Sequence, residues 1–103
     1  MTTIAPFQPV NGSTIIVTPA AGSANSPILL KSQQVRILNT GANIAYIRTY
    51  GSLDLATAAV ATTADYPIAS GQASVISKGV EHDRIAYISA AGTTLQITPG
   101  DGW

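Results

Sequence analysis

Short segments rich in β-branched residues recur along this chain, and each is closed off by Ser, Thr, Asn, Gly or Pro. The clear ones are Ser13–Thr18, Gln33–Asn39, Asn43–Thr49, Ala73–Ser77, Arg84–Ser89 and Thr94–Thr98. Pro27–Leu30 and Tyr66–Ile68 are shorter candidates, and Pro67 confines the latter to a sheet edge or a strand start. Several alternate with period two: Val35 and Ile37 face one way and Gln34 and Arg36 the other, as do Leu95 and Ile97 against Thr94, Gln96 and Thr98. That is the half-buried pattern of antiparallel sheets. Six to eight such strands without a long helical pattern predict an all-β chain, an antiparallel β-sandwich or jelly roll.

The turn chemistry predicts hairpins. Asn39–Asn43 and Ser89–Thr93 each join two strand segments, with Gly41 and Gly92 free to take a positive φ. Ser77–Asp83 is a longer connection around Gly79. Ser52–Tyr66, rich in Ala and Thr, fits neither strand nor helix cleanly and reads as a long excursion. The predicted division is an extended N-terminal arm over 1–12, a sandwich over 13–98 and a C-terminal tail over 99–103. Pro6 and Pro9 extend the arm around Phe7, the only phenylalanine, and the tail ends on Trp103, the only tryptophan.

The tetrapeptide Ile-Ala-Tyr-Ile occurs twice, at Ile44–Ile47 and Ile85–Ile88. Two copies are too few for a solenoid, which needs about three repeats or more. Each copy reads as a strand with residues one and three on one face and two and four on the other. Neither face is strongly polar, which predicts two inner or covered strands.

Charge is sparse. Charged residues make up 10% of the 103 residues and the formal net charge is zero, against about 25% in ordinary soluble domains. A surface this poor in charge is weakly protected against association, which predicts that other subunits cover much of it. The five basic residues, Lys31, Arg36, Arg48, Lys78 and Arg84, are scattered, so no nucleic-acid patch is expected. No apolar run approaches the ~20 residues of a membrane span, and Met1–Val10 lacks the pattern of a secretory signal. With no cysteine there is no disulfide or thiolate metal site.

Chemistry is hard to find. Glu81-His82-Asp83-Arg84 holds the only histidine, but a metal would need more ligands and no G-x-S-x-G nucleophile turn is present. The glycines form no phosphate cradle. The expectation is therefore no catalytic, cofactor or metal residues and no enzyme. The four tyrosines suit a core, an interface or a sugar platform. The partner-facing candidates are Phe7, Pro9, Tyr50, Tyr66 and Trp103.

Three stretches taken together, Val35–Gly51, Thr62–Ser77 and Arg84–Gly102, resemble small virion proteins of tailed bacteriophages. The shared pattern is a V-R-L-x-N-T-G strand and turn, then A-D-x-P-I-x-A-G, then I-A-x-I-x-A-x-G-T-x-x-L-x-I-T-x-G-x-G. It covers about two thirds of the chain and consists of strands and glycines rather than catalytic residues. The resemblance implies a capsid decoration, or cement, protein on the outer surface of the virion, assembled in the host cytoplasm. Its expected partners are the major capsid protein and its own copies, as a homodimer or homotrimer. A tail or head–tail connector component, or a receptor- or carbohydrate-binding module, is the alternative.

Overall fold

The computed structural model describes residues 7–9, 12, 14–28, 33–51, 60–79 and 81–102. Among them nine strands follow in order: β1 (Phe7–Pro9), β2 (Ile15–Val17), β3 (Ala24–Pro27), β4 (Gln34–Asn39), β5 (Ala45–Tyr50), β6 (Tyr66–Ile68), β7 (Ala73–Ser77), β8 (Arg84–Ile88) and β9 (Leu95–Gly102). No helix occurs among the described residues. The expected all-β sandwich is what forms.

Sheet A has the order β1-β9-β4-β7, with β2 also pairing β9, and sheet B has the order β3-β8-β5-β6. All pairings are antiparallel. From β2 onward the chain changes sheet at every connection except β5 to β6. Two interleaved four-strand-wide sheets joined in this way are a jelly roll.

Period-two alternation places the core. Val17, Val35, Ile37, Leu95 and Ile97 point inward from sheet A and meet Ala45, Ile47, Ile68, Ile85 and Tyr87 from sheet B. The Tyr87 hydroxyl shares a 2.7 Å hydrogen bond with Ser26 Oγ, so the ring's polar end is satisfied.

The two Ile-Ala-Tyr-Ile copies are adjacent inner strands of sheet B, β5 and β8, paired with Ile47 opposite Tyr87. They are used in opposite phase. Ala45 and Ile47 face the core in the first copy, Ile85 and Tyr87 in the second. Antiparallel pairing sets this phase by register, and a period of two lets either half of an apolar tetrapeptide serve as the inner face.

The two expected hairpins are instead arches between sheets. Asn39–Asn43 carries the chain from β4 in sheet A to β5 in sheet B, and Ser89–Thr93 carries it from β8 in sheet B to β9 in sheet A. The same Asn/Gly turn chemistry suits both kinds of connection, and burial of the flanking strands on opposite sides of one core selects the arch. Gly92 has the expected positive φ of 84°, whereas Gly41 does not take one. Gly41 is needed for close approach: a Cβ there would clash with Thr93 Oγ1 and lie 2.6 Å from the Thr94 nitrogen.

β9 also runs past the expected end at Thr98, through the fully buried Pro99, to Gly102. Thr40 N donates to Thr94 O, which fixes the ladder so that residue 99 turns its nitrogen away from β4. There β2 has stopped pairing at Ile97 and β1 begins at Gly100, so a missing N–H is tolerated. The expected arm and tail thus meet as paired strands, Phe7 opposite Gly102 and Pro9 opposite Gly100. The strand expected over Pro27–Leu30 lies earlier, at Ala24–Pro27, paired along β8.

Candidate functional site

The arches build a polar knot at one end of the sandwich. Asn39 is wholly buried at the end of β4. Its Nδ2 donates to the Asn43 carbonyl at 2.8 Å and to the Ile68 carbonyl at 3.0 Å. Its Oδ1 accepts from Gly41 N at 3.0 Å and from Thr93 Oγ1 at 2.7 Å. Asn43 Nδ2 donates to Gly92 O at 2.7 Å, and Ser89 Oγ to Ile44 O at 2.7 Å. The knot ties both arches to β6 and uses its polar atoms internally, so it is a structural device.

The outer face of sheet B is partly covered. Ala61 packs on Tyr50 and Ala86 with Ile88 beside them, and its amide donates to Ser23 Oγ at 2.8 Å. Arg48 forms a two-pronged pair with Asp65, Nε to Oδ2 at 3.0 Å and Nη2 to Oδ1 at 2.8 Å. Burial pushes the Asp65 carboxyl up, but hydrogen bonds from Arg48 and from the Thr62 amide outweigh it and hold it below the ordinary value. Arg84 reaches Tyr50 Oη at 3.1 Å and Asn25 Oδ1 at 2.7 Å.

His82 lies half-buried in the β7–β8 connection, its Nδ1 3.0 Å from Thr49 Oγ1. Lys78, itself buried, donates to the His82 carbonyl at 2.7 Å and closes this turn. Among the described residues no group of three His, Cys, Asp or Glu side chains is placed to hold a metal.

The outer face of sheet A is different. Register aligns Ile16, Gln96, Leu38 and Ala73 in one row, and Thr98, Arg36 and Val75 in the next. Thr14 bonds Thr98 hydroxyl to hydroxyl at 2.7 Å. Ile16 is 66% exposed and Val75 47%. Arg36 is the single charged side chain in these rows. β7 borders this face and pairs only with β4, leaving its other edge open among the described residues.

The five sequence candidates do not converge. Phe7 and Pro9 are on β1 at the far end of sheet A, with Pro9 exposed. Tyr66 is 45% exposed on the edge strand β6 of sheet B. Tyr50, expected to be available to a partner, is only 6% exposed because Ala61 and Arg84 close over it. Trp103 lies outside the described residues, as does Ser52–Ala59 of the expected excursion. Ile16 and Val75 were not legible as surface residues, since each stands next to an equally apolar residue and alternation cannot say which of the two points out.

No protein-family model matches this chain, and no curated protein matches it. Solved structures do resemble it. PirA has a TM-score of 0.53 at 15% identity, covering 87% of this chain and 95% of PirA. Protein NMB1881 from Neisseria meningitidis has 0.49 at 11% identity, covering 97% and 88%. A chain of the Bacillus endospore appendages, which form disulfide-linked pili, has 0.49 at 15% identity, covering 96% and 91%. At these identities the likeness to PirA is one of fold.

Proposed function

We propose that this chain is a structural protein of a bacteriophage virion that decorates the capsid, binding major capsid subunits and its own copies. The observation that carries the proposal is the outer face of sheet A, where Ile16, Leu38, Val75, Gln96 and Thr98 surround a single charge, Arg36. A free domain gains nothing from so apolar and weakly charged a face, whereas a subunit covered by neighbours does. The sequence pattern shared with small phage virion proteins supports the same reading. Its Asn39, Gly41, Gly92 and Thr93 are members of the arch knot, so the pattern describes a scaffold and leaves function to the surfaces. The role requires no catalytic step, cofactor or nucleic acid.

The test is to image the native assembly and count copies. Hundreds of copies on the outer shell support decoration. About six or twelve copies at one vertex or in a ring would reassign the chain to a tail or connector. Replacing Ile16 and Val75 together by Ser should strip the chain from particles while leaving it folded by circular dichroism. Full occupancy by that variant would refute the role given to this face.

A further inference from the structure

β7 leaves one edge unpaired among the described residues. We infer that this protein forms a two-fold dimer in which β7 pairs antiparallel with β7 of another chain, joining two A sheets into one. The inference rests on the self-association in the reading above and not on the identity of the shell.

The ladder fixes which groups are free. Lys78 N donates to Gln33 O and Asn39 N donates to Gln72 O, so the even-numbered residues of β7, Ser74 and Ile76, bond to β4. Ala73, Val75 and Ser77 therefore turn their N–H and C=O groups outward, three donors and three acceptors in a row. Natural sheets protect such edges with Pro, charge, a bulge or short length. The other edges follow that rule: β6 contains Pro67, β3 ends in Pro27, β1 contains Pro9, and β2 is three residues long. β7 is five residues, Ala-Ser-Val-Ile-Ser, with neither proline nor charge. Among the described residues it is the longest edge strand and the one without such protection.

The occupant follows from self-complementarity. A two-fold axis at Val75 sets Val75 against its copy and Ala73 against Ser77 in both directions, giving about six main-chain hydrogen bonds. The side chains that meet are small or apolar and uncharged, so no like-charge pair opposes the contact. Among the described residues the nearest like charges are the two Arg36 side chains, one strand further back on each side. Three strand spacings separate them, roughly 14 Å, which exceeds the screening length of about 8 Å at physiological salt. Ile76, half-buried against the core, is covered at the flank by the partner's backbone and by its small Ser at the facing position. A second copy thus satisfies donors, acceptors and apolar surface at once.

Amide hydrogen exchange on the full chain tests this without altering it. In a dimer, Ala73, Val75 and Ser77 exchange as slowly as Ser74 and Ile76, and their protection falls on dilution. Sedimentation should show the corresponding monomer–dimer equilibrium. Val75→Lys puts two ammonium groups on the axis and should raise the dissociation constant about tenfold or more with the fold intact. Val75→Cys should give a covalent dimer on mild oxidation, because Cα atoms about 5.5 Å apart in a bonded pair suit a disulfide and the chain has no other cysteine. A dimer indifferent to Val75→Lys, with fast exchange at Ala73, Val75 and Ser77, overturns the β7 contact while leaving self-association standing. A chain that sediments as a monomer at every concentration overturns both.

Discussion

Replacing Asn39 by Ala should be among the most damaging single changes available in this protein. Its side chain makes four hydrogen bonds, to Asn43 O, Ile68 O, Gly41 N and Thr93 Oγ1, at a site with no solvent exposure. Truncation leaves two donors and two acceptors without their partner. The contacts to Ile68 O and Thr93 Oγ1 are fully buried, and those to Asn43 and Gly41 are partly so. Orphaned buried groups cost about 1–3 kcal/mol each, and partly buried ones recover some of that from water. Allowing the Thr93 hydroxyl to rotate toward another acceptor, the loss is about 3–4 kcal/mol. A domain of this length has a total stability of roughly 10 kcal/mol. In urea the midpoint should fall by about 2 M, and the melting temperature by roughly 12–25 °C. Thr93→Val should cost about 1–2 kcal/mol alone and much less in the Asn39→Ala background, because the two share one bond. A loss below about 1 kcal/mol for Asn39→Ala, or full additivity of the pair, would refute the claim that this side chain ties the arches together.

Other substitutions probe the contacts around this knot and elsewhere in the sandwich. Gly41→Ala drives a methyl group into Thr93 and the Thr94 backbone and should cost about 2–3 kcal/mol by thermal melting; a neutral result would mean that the two arches are not in contact. Asp65→Asn removes the carboxylate that Arg48 grips, and the loss should be about 1 kcal/mol or less at pH 7. The native Asp65 carboxyl is held below its ordinary value, so this stability is present at neutral pH and fades as pH falls from about 4 through the folded-state value. The gap between variant and parent in urea titrations should therefore close at low pH, and a constant gap would contradict the ion pair. Gln34→Met deletes Oε1, a buried acceptor with no hydrogen-bond partner among the described residues, and should be neutral or stabilise by about 1 kcal/mol; a clear destabilisation would show that the amide is satisfied after all.

Strand content was legible because apolar and polar residues alternate. Ala73–Ser77 and Tyr66–Ile68 are strands with the bounds read from sequence, and the segments around Val35, Tyr46, Tyr87 and Ile97 differ only at their ends. What failed had physical causes. Ala24–Pro27 has no β-branched residue, and β8 rather than its own composition makes it a strand. The arches could not be told from hairpins, because which sheet a strand enters is decided by the shared core. The equal apolar character of Ile15 and Ile16, and of Val75 and Ile76, hid the outward-facing members that define the surface of sheet A. The burial of Tyr50 was hidden for the converse reason: it lies on the outer side of its sheet, and Ala61, in the connection between β5 and β6, covers it.

The position of β9 has a consequence for synthesis. Among the described strands it is the last in chain order, yet β1, β2 and β4 all pair with it. Until β9 leaves the ribosome, sheet A is limited to the β4–β7 pair, and the edges of β2 and β4 wait unpaired. Almost every strand pairing joins distant parts of the chain, which slows folding and lengthens the time that unpaired edges are exposed. The nascent chain is therefore at its most aggregation-prone just before β9 emerges, and holding β7, with its open edge, apart from its neighbours on a polysome is a task for chaperones.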